Sequence, residues 1–327
     1  MPKFLASETT VALLVFAVLA ALPQLLSGYP IYILPQYLLF GVMAMSLGLL
    51  WGFVGILSFG QAAFFAIGAY TMGLAMQHEL AINAGYVALI LSLGIGALLA
   101  AVSGYFLFSA GVRATYFVLV TLALSILCEQ ITVSYSDITG GWNGLFINRM
   151  DLTLGPWGVV SLAEDGAIYY LVLAVVVALY FLLRGLIGAK FGKVLVGIRE
   201  NEDRMVALGF NVTFYKTAAF AISGALACLA GALYGAHANF VAPSLAGVQF
   251  STEVVVWVAI GGRNSLLGAL VGGVIVSSIS NYLNSVAPQY WQLILGLIFI
   301  AVIVYFKGGL AGAATRFFGP RPVSNGA

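Results

Sequence analysis

The sequence predicts an all-α polytopic membrane protein with about ten transmembrane segments, and three observations support this fold class. First, 62% of the 327 residues are hydrophobic and 7% are charged, with a mean hydropathy of +1.07. Soluble globular chains carry roughly 25% charged residues, so this chain cannot cover its surface for water. Second, apolar stretches of about the 20 residues that a membrane span requires follow one another along the chain. Third, the charges are concentrated in a few loops.

The apolar stretches predict the segments in order. We expect spans over residues 10–27, 31–50, 56–77, 85–109, 115–136, 167–187, 214–239 and 290–306. Between the last two, Gly261-Gly262-Arg263-Asn264 interrupts residues 246–284, which predicts a short helix, a glycine break and a longer helix over about 265–284. Both pieces together bring the count to ten, in a single transmembrane domain over residues 1–327. The first segment reads as a retained span, since no A-x-A-like cleavage site accompanies it.

The basic residues predict the orientation of these segments. With the N-terminus inside, every Lys and Arg except Arg149 lies on the cytoplasmic side. The outer loop, about residues 137–166, is acidic, and we expect it to contact a partner through groups such as Asp151 and Glu164. A cytoplasmic tail at about 307–327 follows the last span. Both termini are therefore expected to be cytoplasmic.

Glycine spacing predicts close helix packing. Small residues four apart allow membrane helices to approach closely, and they occur here as the pairs Gly48/Gly52, Gly231/Gly235 and Gly268/Gly272. Adjacent glycines at helix interruptions have a different meaning, because they expose backbone polar groups that are tolerated at membrane depth only beside a cavity or inside protein. We therefore expect Gly140-Gly141 and Gly261-Gly262 to form gate or cavity elements.

Charge is concentrated in residues 184–216, the charged segment. This stretch holds six of the thirteen Lys and Arg residues and three of the eleven Asp and Glu residues. Good helix formers occupy residues 199–208, and Gly209 with Asn211 predicts a helix C-terminus. A solvated loop that sets orientation is one interpretation. The mixed signs favour another, because orientation alone requires no acids: a short charged helix that docks on a cytoplasmic partner.

The chain has no motif for chemistry of its own. The only Gly-Lys, at Gly192-Lys193, is followed by Val194 and does not form a phosphate-binding loop. His78 and His237 are isolated, and Cys128 and Cys228 have no metal-ligand spacing. We therefore expect no catalytic residue, no metal and no bound cofactor. If ATP drives this protein, another polypeptide hydrolyses it.

Four stretches resemble the permeases of branched-chain amino-acid ABC importers. They are residues 192–202 with Ala207-Leu208-Gly209, residues 55–70, residues 113–123 with 139–144, and residues 258–268. The resemblance covers roughly residues 40–310 and is to the longer, M-type subunit. It implies a type II ABC importer-like fold in the bacterial inner membrane, among lipids and without nucleic acid. The implied partners are a second homologous permease subunit, two ATPase subunits that carry the ATP and a periplasmic substrate-binding protein.

Two departures bear on the substrate. Many branched-chain members have Gly-Gly-x-Gly-Thr/Ser and then Gly-Pro at the break, whereas this chain has Gly261-Gly-Arg-Asn-Ser and then Gly268-Ala. The residues around Trp257 and the turn at Trp142-Asn143-Gly144 are similar to the urea and short-amide branch. The resemblance therefore implies transport of branched-chain or other neutral amino acids, with urea or short-chain amides as the alternative.

The candidate site residues form two groups. A coupling loop at about 188–213 would transmit force from the ATPases, through Arg199, Glu200, Glu202, Arg204, Ala207 and Gly209. The translocation pathway or gate would involve Gln61, Tyr116, Glu129, Gly140, Gly141, Asn143, Glu253, Gly261 and Gly262. Glu129 and Glu253 are included because ionisable residues within spans are rare and often functional. Each also has a structural interpretation: Glu129 extends to the outer interface, and Glu253 interacts with a helix dipole.

Two other classes of protein remain as alternatives. An ion-coupled secondary transporter should show two similar halves with matching broken helices, but the sequence has only one clear glycine-broken pair. An intramembrane enzyme would need a nucleophile and base or clustered metal ligands, which the two lone histidines do not supply.

Overall fold

The computed structural model describes residues 2–25, 28–77, 83–112, 114–147, 151–153, 159–161, 165–305, 309–310 and 312. These residues are overwhelmingly helical, as the sequence predicts. The α-helices are α1 (Pro2–Leu25), α2 (Tyr29–Gly48), α3 (Gln61–Gln77), α4 (Ala84–Ser109), α5 (Ala114–Ser134), α6 (Ser136–Thr139), α7 (Asp165–Gly188), α8 (Lys190–Glu200), α9 (Glu202–Ala207), α10 (Val212–Ala238), α11 (Val248–Gly261), α12 (Leu266–Val286) and α13 (Trp291–Tyr305).

Short elements connect these helices. A π-helical turn, Leu49–Val54, continues α2, and two 3₁₀ turns cover Gly141–Asn143 and Pro243–Ala246. The strands form two antiparallel pairs, in which β1 (Leu145–Phe146) pairs with β4 (Phe240–Val241), and β2 (Asp151–Thr153) pairs with β3 (Val159–Ser161).

Within the described residues, seven helices are long and apolar enough to cross a membrane. They cover Glu8–Leu25, Tyr29–Val54, Ala84–Ser109, Thr115–Ser134, Gly166–Gly188, Val212–Ala238 and Leu266–Val286. Two shorter apolar helices, Val248–Gly261 and Trp291–Ala301, accompany them. A polytopic all-α membrane protein is therefore confirmed, whereas the count of ten segments and their orientation stay predictions.

Two central helices organise the packing. Helix α10 packs against α3 and α4, and α2 packs against α12, α7 and α11. Both central helices are mostly buried, whereas α1, α4 and α5 expose large apolar side chains such as Ile90, Phe106 and Leu127. Exposed apolar helices of this kind are expected where the solvent is lipid or another apolar subunit.

The contacts define two opposite ends of the bundle. At the charged end, Arg184 donates to Thr9 at 2.8 Å, and the ammonium of Lys216 lies 5.7 Å from the ring of Phe108. These contacts gather α1, α4, α7 and α10 beside the charged segment. At the other end, the hairpin end, β1 pairs with β4, and the hydroxyl of Tyr169 donates to the carbonyl of Leu19 at 2.5 Å. Helix α8 and strand β4 therefore lie at opposite ends of the bundle.

Glycine contacts confirm the predicted close packing. A Cβ atom on Gly231 of α10 would overlap the carbonyl of Phe65 in α3, and one on Gly68 of α3 would overlap the carbonyl of Cys228. The other predicted pairs also lie against neighbouring backbone or small side chains. Gly48 faces Ala269, Gly235 faces Ala69, and Gly272 faces both Gly261 and the carbonyl of Trp257. Glycine here therefore permits backbone contact between helices.

The predicted span over residues 56–77 is wrong at its beginning. Helix α2 continues as the π-helical turn to Val54, Gly55 ends it at φ 84°, and α3 begins only at Gln61. The backbone of Phe59 lies in this first break and has side-chain partners from two distant helices. The hydroxyl of Thr121 accepts from its N–H at 3.1 Å, and the hydroxyls of Ser125 and Ser251 donate to its carbonyl. The sequence did not reveal the break because these partners lie far away along the chain.

The single helix predicted over residues 199–208 is also wrong, because the structure has two. Helix α8 ends at Glu200, Asn201 is extended, and its side chain accepts the N–H of Arg204 at 2.9 Å to cap α9. An Asn side chain that can cap a new helix competes with helix continuation at that position. The predicted C-terminus is confirmed: Gly209 has φ 85°, and the next N–H donates to the carbonyl of Met205.

Some predicted features lie outside the described residues. These are Arg149, Glu164, His78 and most of the tail at 307–327. The contacts predicted for the outer loop therefore stay predictions.

Candidate functional site

Arg199 connects the charged segment to two interruptions of the membrane helices. Its guanidinium Nη1 donates to the carbonyl of Gly52 and, at 3.4 Å, to the side-chain oxygen of Asn264. Its alkyl chain covers Gly55, where a Cβ would lie 2.8 Å from Cγ of Arg199. Its Nη2 forms an ion pair with Glu200 at 2.8 Å. One side chain of α8 therefore touches both the end of α2 and the break between α11 and α12.

Beneath Arg199, the break between α11 and α12 also contacts the π-helical turn at the end of α2. We call residues 55–60 the first break and residues 262–265 the second break. A Cβ on Gly52 would overlap the carbonyl of Arg263, and the guanidinium of Arg263 lies 5.9 Å from the ring centre of Trp51. Gly262 adopts φ 112°, and Ser265 caps α12 by accepting the N–H of Gly268 at 3.1 Å. Arg199 therefore contacts the first break through Gly55 and the second break through Asn264.

Helix α9 is fixed to the bundle by an ion pair. The carboxylate of Glu202 lies 2.5 Å from the ammonium of Lys216 in α10. Lys216 is only 9% exposed. The sulfur of Met205 packs on Gly197 of α8. Because Lys216 also lies over the ring of Phe108, the pair joins α9, α10 and α4. Glu202 is thus a link within the chain.

We expect Glu202→Ala to loosen α9, because it leaves Lys216 buried without its carboxylate. Since Glu202 itself is half exposed, the loss in the free energy of unfolding should be about 1–2 kcal/mol, below the range for fully buried pairs. Replacing both partners, as Glu202→Ala with Lys216→Met, should recover most of that loss. Thermal unfolding of the purified variants checks this. A double variant as unstable as Glu202→Ala alone would contradict the assignment.

The remaining predicted coupling residues lie on the outer surface of the two short helices. The side chain of Glu200 is 69% exposed, and Leu208 is 65% exposed. Arg204, Ala207 and Gly209 are exposed as well. The structure therefore divides the six candidates. Arg199 and Glu202 bind other helices of the chain, Glu200 pairs with its neighbour Arg199 while staying largely exposed, and Arg204, Ala207 and Gly209 lie on the surface.

A polar cavity of about 160 Å³ lies in the half of the bundle towards the hairpin end. It is formed by α2, α11, α12 and the beginning of α13. Its lining includes Glu253, Tyr37, Asn281, Asn284, Trp257 and Trp291. Of the nine predicted pathway residues, Glu253 is the one that lines this cavity.

The polar side of α12 was not among the predicted pathway residues. Ser277, Ser280, Asn281 and Asn284 line the cavity from this one helix. They recur at three- and four-residue spacing in an otherwise apolar helix, which places them on one face. That spacing was visible in the sequence and would have identified them.

Gln61 lies in the packed interior, although it was predicted to line the pathway. It is 1% exposed, its side-chain oxygen accepts from Ser46 of α2 at 3.1 Å, and its amide donates to Ser223 of α10 at 3.0 Å. Ser223 in turn donates to the carbonyl of Ser46 at 2.8 Å. This network holds the first turn of α3 between the two central helices.

The other pathway candidates are dispersed over the structure. Gly140, Gly141 and Asn143 form a turn at the hairpin end, with φ values of 76° and 54° at the two glycines. Tyr116 is exposed on α5. A Cβ on Gly247 would lie 3.1 Å from the carboxylate of Glu129, which places this carboxylate beside the loop before α11. Gly261 is buried against α12. The structure thus brings none of them to the cavity.

Long apolar helices, interrupted in the interior beneath a charged surface segment, form a polytopic membrane protein with a polar cavity between its helices. Comparison with protein families agrees. Residues 29–303 match the family model described as the branched-chain amino acid transport system permease component, and the chain belongs to this family. Its relatives are permease subunits of ABC transporters and not enzymes. The predicted family is therefore confirmed.

Individual relatives carry the names of different substrates. The high-affinity branched-chain amino acid transport system permease protein LivM of Escherichia coli K12 is 29% identical over 321 residues, which cover 92% of this chain and 73% of the relative. A probable branched-chain permease LivM of Methanocaldococcus jannaschii is 26% identical over 72% of this chain and 75% of its own length. The ribose import permease RbsC of Haemophilus influenzae is 29% identical over 64% of both chains. No solved structure matches this chain.

Proposed function

We propose that this chain is the M-type permease subunit of a binding-protein-dependent ABC importer for branched-chain or other neutral amino acids. The observation that carries the substrate class is the similarity to a branched-chain amino acid permease along 92% of the chain. The similarity to a ribose permease covers a smaller share, 64%. A sugar is therefore the second candidate, and urea or a short amide is a third.

In this proposal the charged end faces the cytoplasm. The bundle has ten segments with both termini inside, and it lies in the bacterial inner membrane beside a second homologous permease subunit. Two ATPase subunits bind and hydrolyse ATP below it. A periplasmic substrate-binding protein delivers the substrate at the hairpin end, where the loop at about 137–166 meets it. The chain itself holds no nucleotide.

The mechanism that we propose uses two kinds of residue in the charged segment: exposed residues that bind a partner, and Arg199, which contacts the rest of the bundle. Glu200, Arg204 and the apolar side chain of Leu208 dock on an ATPase subunit, since charged groups around an apolar contact give an interface specificity. When the ATPases close, they displace α8 and α9. Arg199 then transmits this displacement to the first and second breaks, which are the interrupted parts of the bundle. The result would be a change in access to the pathway.

We expect the double variant Glu200→Ala with Arg204→Ala to lose its ATPase subunits during purification from membranes. Removing two exposed charged contacts should weaken such an interface by roughly 1–3 kcal/mol, or about 5- to 150-fold in affinity. The measurement is the amount of ATPase that co-purifies with the tagged chain. Asp137→Ala removes an exposed charge at the hairpin end and serves as the matched control, which should retain the ATPases. Equal ATPase recovery with both variants would count against docking at this surface.

The substrate is tested separately from docking. Proteoliposomes that contain the complete complex and its binding protein should take up leucine in preference to ribose and urea. A preference for ribose or urea would preserve the assembly and reassign the substrate.

A further inference from the structure

The cavity around Glu253 is suited to a small molecule. At about 160 Å³ it is similar in volume to engineered protein cavities that hold benzene. Its walls combine aromatic rings with carboxylate, amide and hydroxyl groups, which is typical of small-molecule sites. The position towards the hairpin end places it on the side where the proposed binding protein releases its cargo.

Glu253 gives this cavity a carboxyl group that the described residues leave largely open. Its carboxylate is hydrogen-bonded to the side chain of Gln249, one turn earlier in α11. A carboxylate has about four acceptor positions, so this contact leaves others available. Among the described residues, no Lys, Arg or His lines the cavity. A positively charged group of a ligand would therefore supply the missing partner.

Trp257 supplies a donor that is already in place. The residue is 1% exposed, and its ring is held by stacking on Phe40 at 5.0 Å and by an edge contact with Phe250 at 5.7 Å. Its indole N–H has no hydrogen-bond acceptor among the described residues. An unpaired buried N–H is costly, and because Trp257 belongs to the cavity wall, a ligand that brings an acceptor to this wall can satisfy it.

The other polar walls are partly engaged with each other. The hydroxyl of Tyr37 in α2 interacts with the side chain of Asn281 in α12 across the cavity. Asn284 lies one turn further along α12. The rings of Tyr37, Phe40, Trp257 and Trp291 add faces that attract cations. The walls thus offer a carboxyl group and aromatic faces to a cation, and the amides of Asn281 and Asn284 as hydrogen-bond donors.

From this geometry we propose that the cavity binds a zwitterionic amino acid, with its ammonium group on Glu253 and its carboxylate on the indole N–H of Trp257. The inference rests on the proposed function as a neutral amino-acid importer, and it identifies the group by which this chain recognises that substrate. The amides of Asn281 and Asn284 provide further donors to the carboxylate. The site discriminates against solutes that lack an ammonium group.

Saturation-transfer difference NMR on the complete complex in nanodiscs, without the binding protein, tests this proposal. Three probes share one branched chain: L-leucine, 3-methylbutylamine, which lacks the carboxylate, and 4-methylpentanoate, which lacks the ammonium. Nanodiscs without protein give the lipid background. Leucine and the amine should bind and compete with each other, and 4-methylpentanoate should not displace either.

Variants then assign the two contacts. Glu253→Gln keeps the size and removes the charge, and it should weaken leucine and amine binding by at least about tenfold. Trp257→Phe keeps the ring and removes the N–H, and it should weaken leucine binding by about fivefold while amine binding stays within about twofold of native. Glu8→Gln alters a carboxylate on α1 outside the cavity lining, and it should leave binding of all three probes unchanged.

Two results would overturn the inferred site. Leucine binding that is the same in the native complex and in Glu253→Gln overturns the assignment. Displacement of leucine by 4-methylpentanoate in the native complex overturns it as well, and this measurement does not depend on the folding of any variant. ATP hydrolysis stimulated by the binding protein is the separate readout of the proposed function. A complex that retains this stimulation but shows no ammonium preference remains an importer and loses the inferred site.

Discussion

Replacing Arg199 with alanine is expected to reduce substrate uptake about 10- to 100-fold while the ATPase subunits stay bound to the complex. The reason is that Arg199 points inward. It donates to the carbonyl of Gly52, covers Gly55 in the first break and contacts Asn264 in the second, so it joins α8 to the two breaks. Hydrogen bonds that involve a charged group contribute roughly 1.5–3 kcal/mol each, and their loss removes this connection. The proposed docking of the ATPases on the outer surface of α8 and α9 should persist.

The measurement compares leucine uptake with ATP hydrolysis in the same proteoliposomes. Arg199→Lys should recover little, because an ammonium cannot reproduce the planar fork of a guanidinium. Lys193→Ala removes an exposed cation from the same helix and is the matched control, which should behave as native. If Arg199→Ala and Lys193→Ala transport equally well, Arg199 does not transmit the displacement.

The second large effect is expected from Gly231→Ala, on stability. A Cβ at this position overlaps the carbonyl of Phe65, so α3 and α10 have to separate. Overpacking at a backbone contact costs about 3 kcal/mol, the upper part of the usual range. We therefore expect a clear decrease in the unfolding temperature of the detergent-solubilised protein.

Gly94→Ala in α4 is the matched control for this substitution. Nothing in the described structure lies within 4 Å of a Cβ built there. Alanine favours a helix over glycine by about 1 kcal/mol, so this variant should be as stable as the native protein or slightly more stable. An unfolding temperature lowered equally by both substitutions would mean that helix contact is not the reason for glycine at position 231.

The sequence predicted the features that depend on local composition and on solvent. The apolar stretches became helices because lipid offers the backbone no partner outside its own helix. Gly209 ends α9, since glycine accepts the positive φ of a helix C-terminus at little cost. The spaced glycines lie at helix contacts, as in Gly231 against Phe65. Each of these inferences needs only neighbouring residues.

Features that depend on distant partners were not predictable in this way. The first break is stable because Thr121, Ser125 and Ser251 satisfy the backbone of Phe59, and nothing near Phe59 indicates this. Arg199 reads as a surface residue in the sequence, and its inward direction follows only from the position of Gly52 and Gly55. The cavity needs four helices to assemble before its polar residues meet.

The proposed function is tested most directly by leucine uptake into proteoliposomes that contain the complete complex and its binding protein. Uptake should require ATP on the membrane side that the charged end faces, whichever way the complex is inserted. A protonophore should not affect it. The Glu200→Ala, Arg204→Ala variant should abolish both ATP hydrolysis and uptake. Uptake that proceeds without ATP and stops when the protonophore is added would contradict the account and identify an ion-coupled transporter instead.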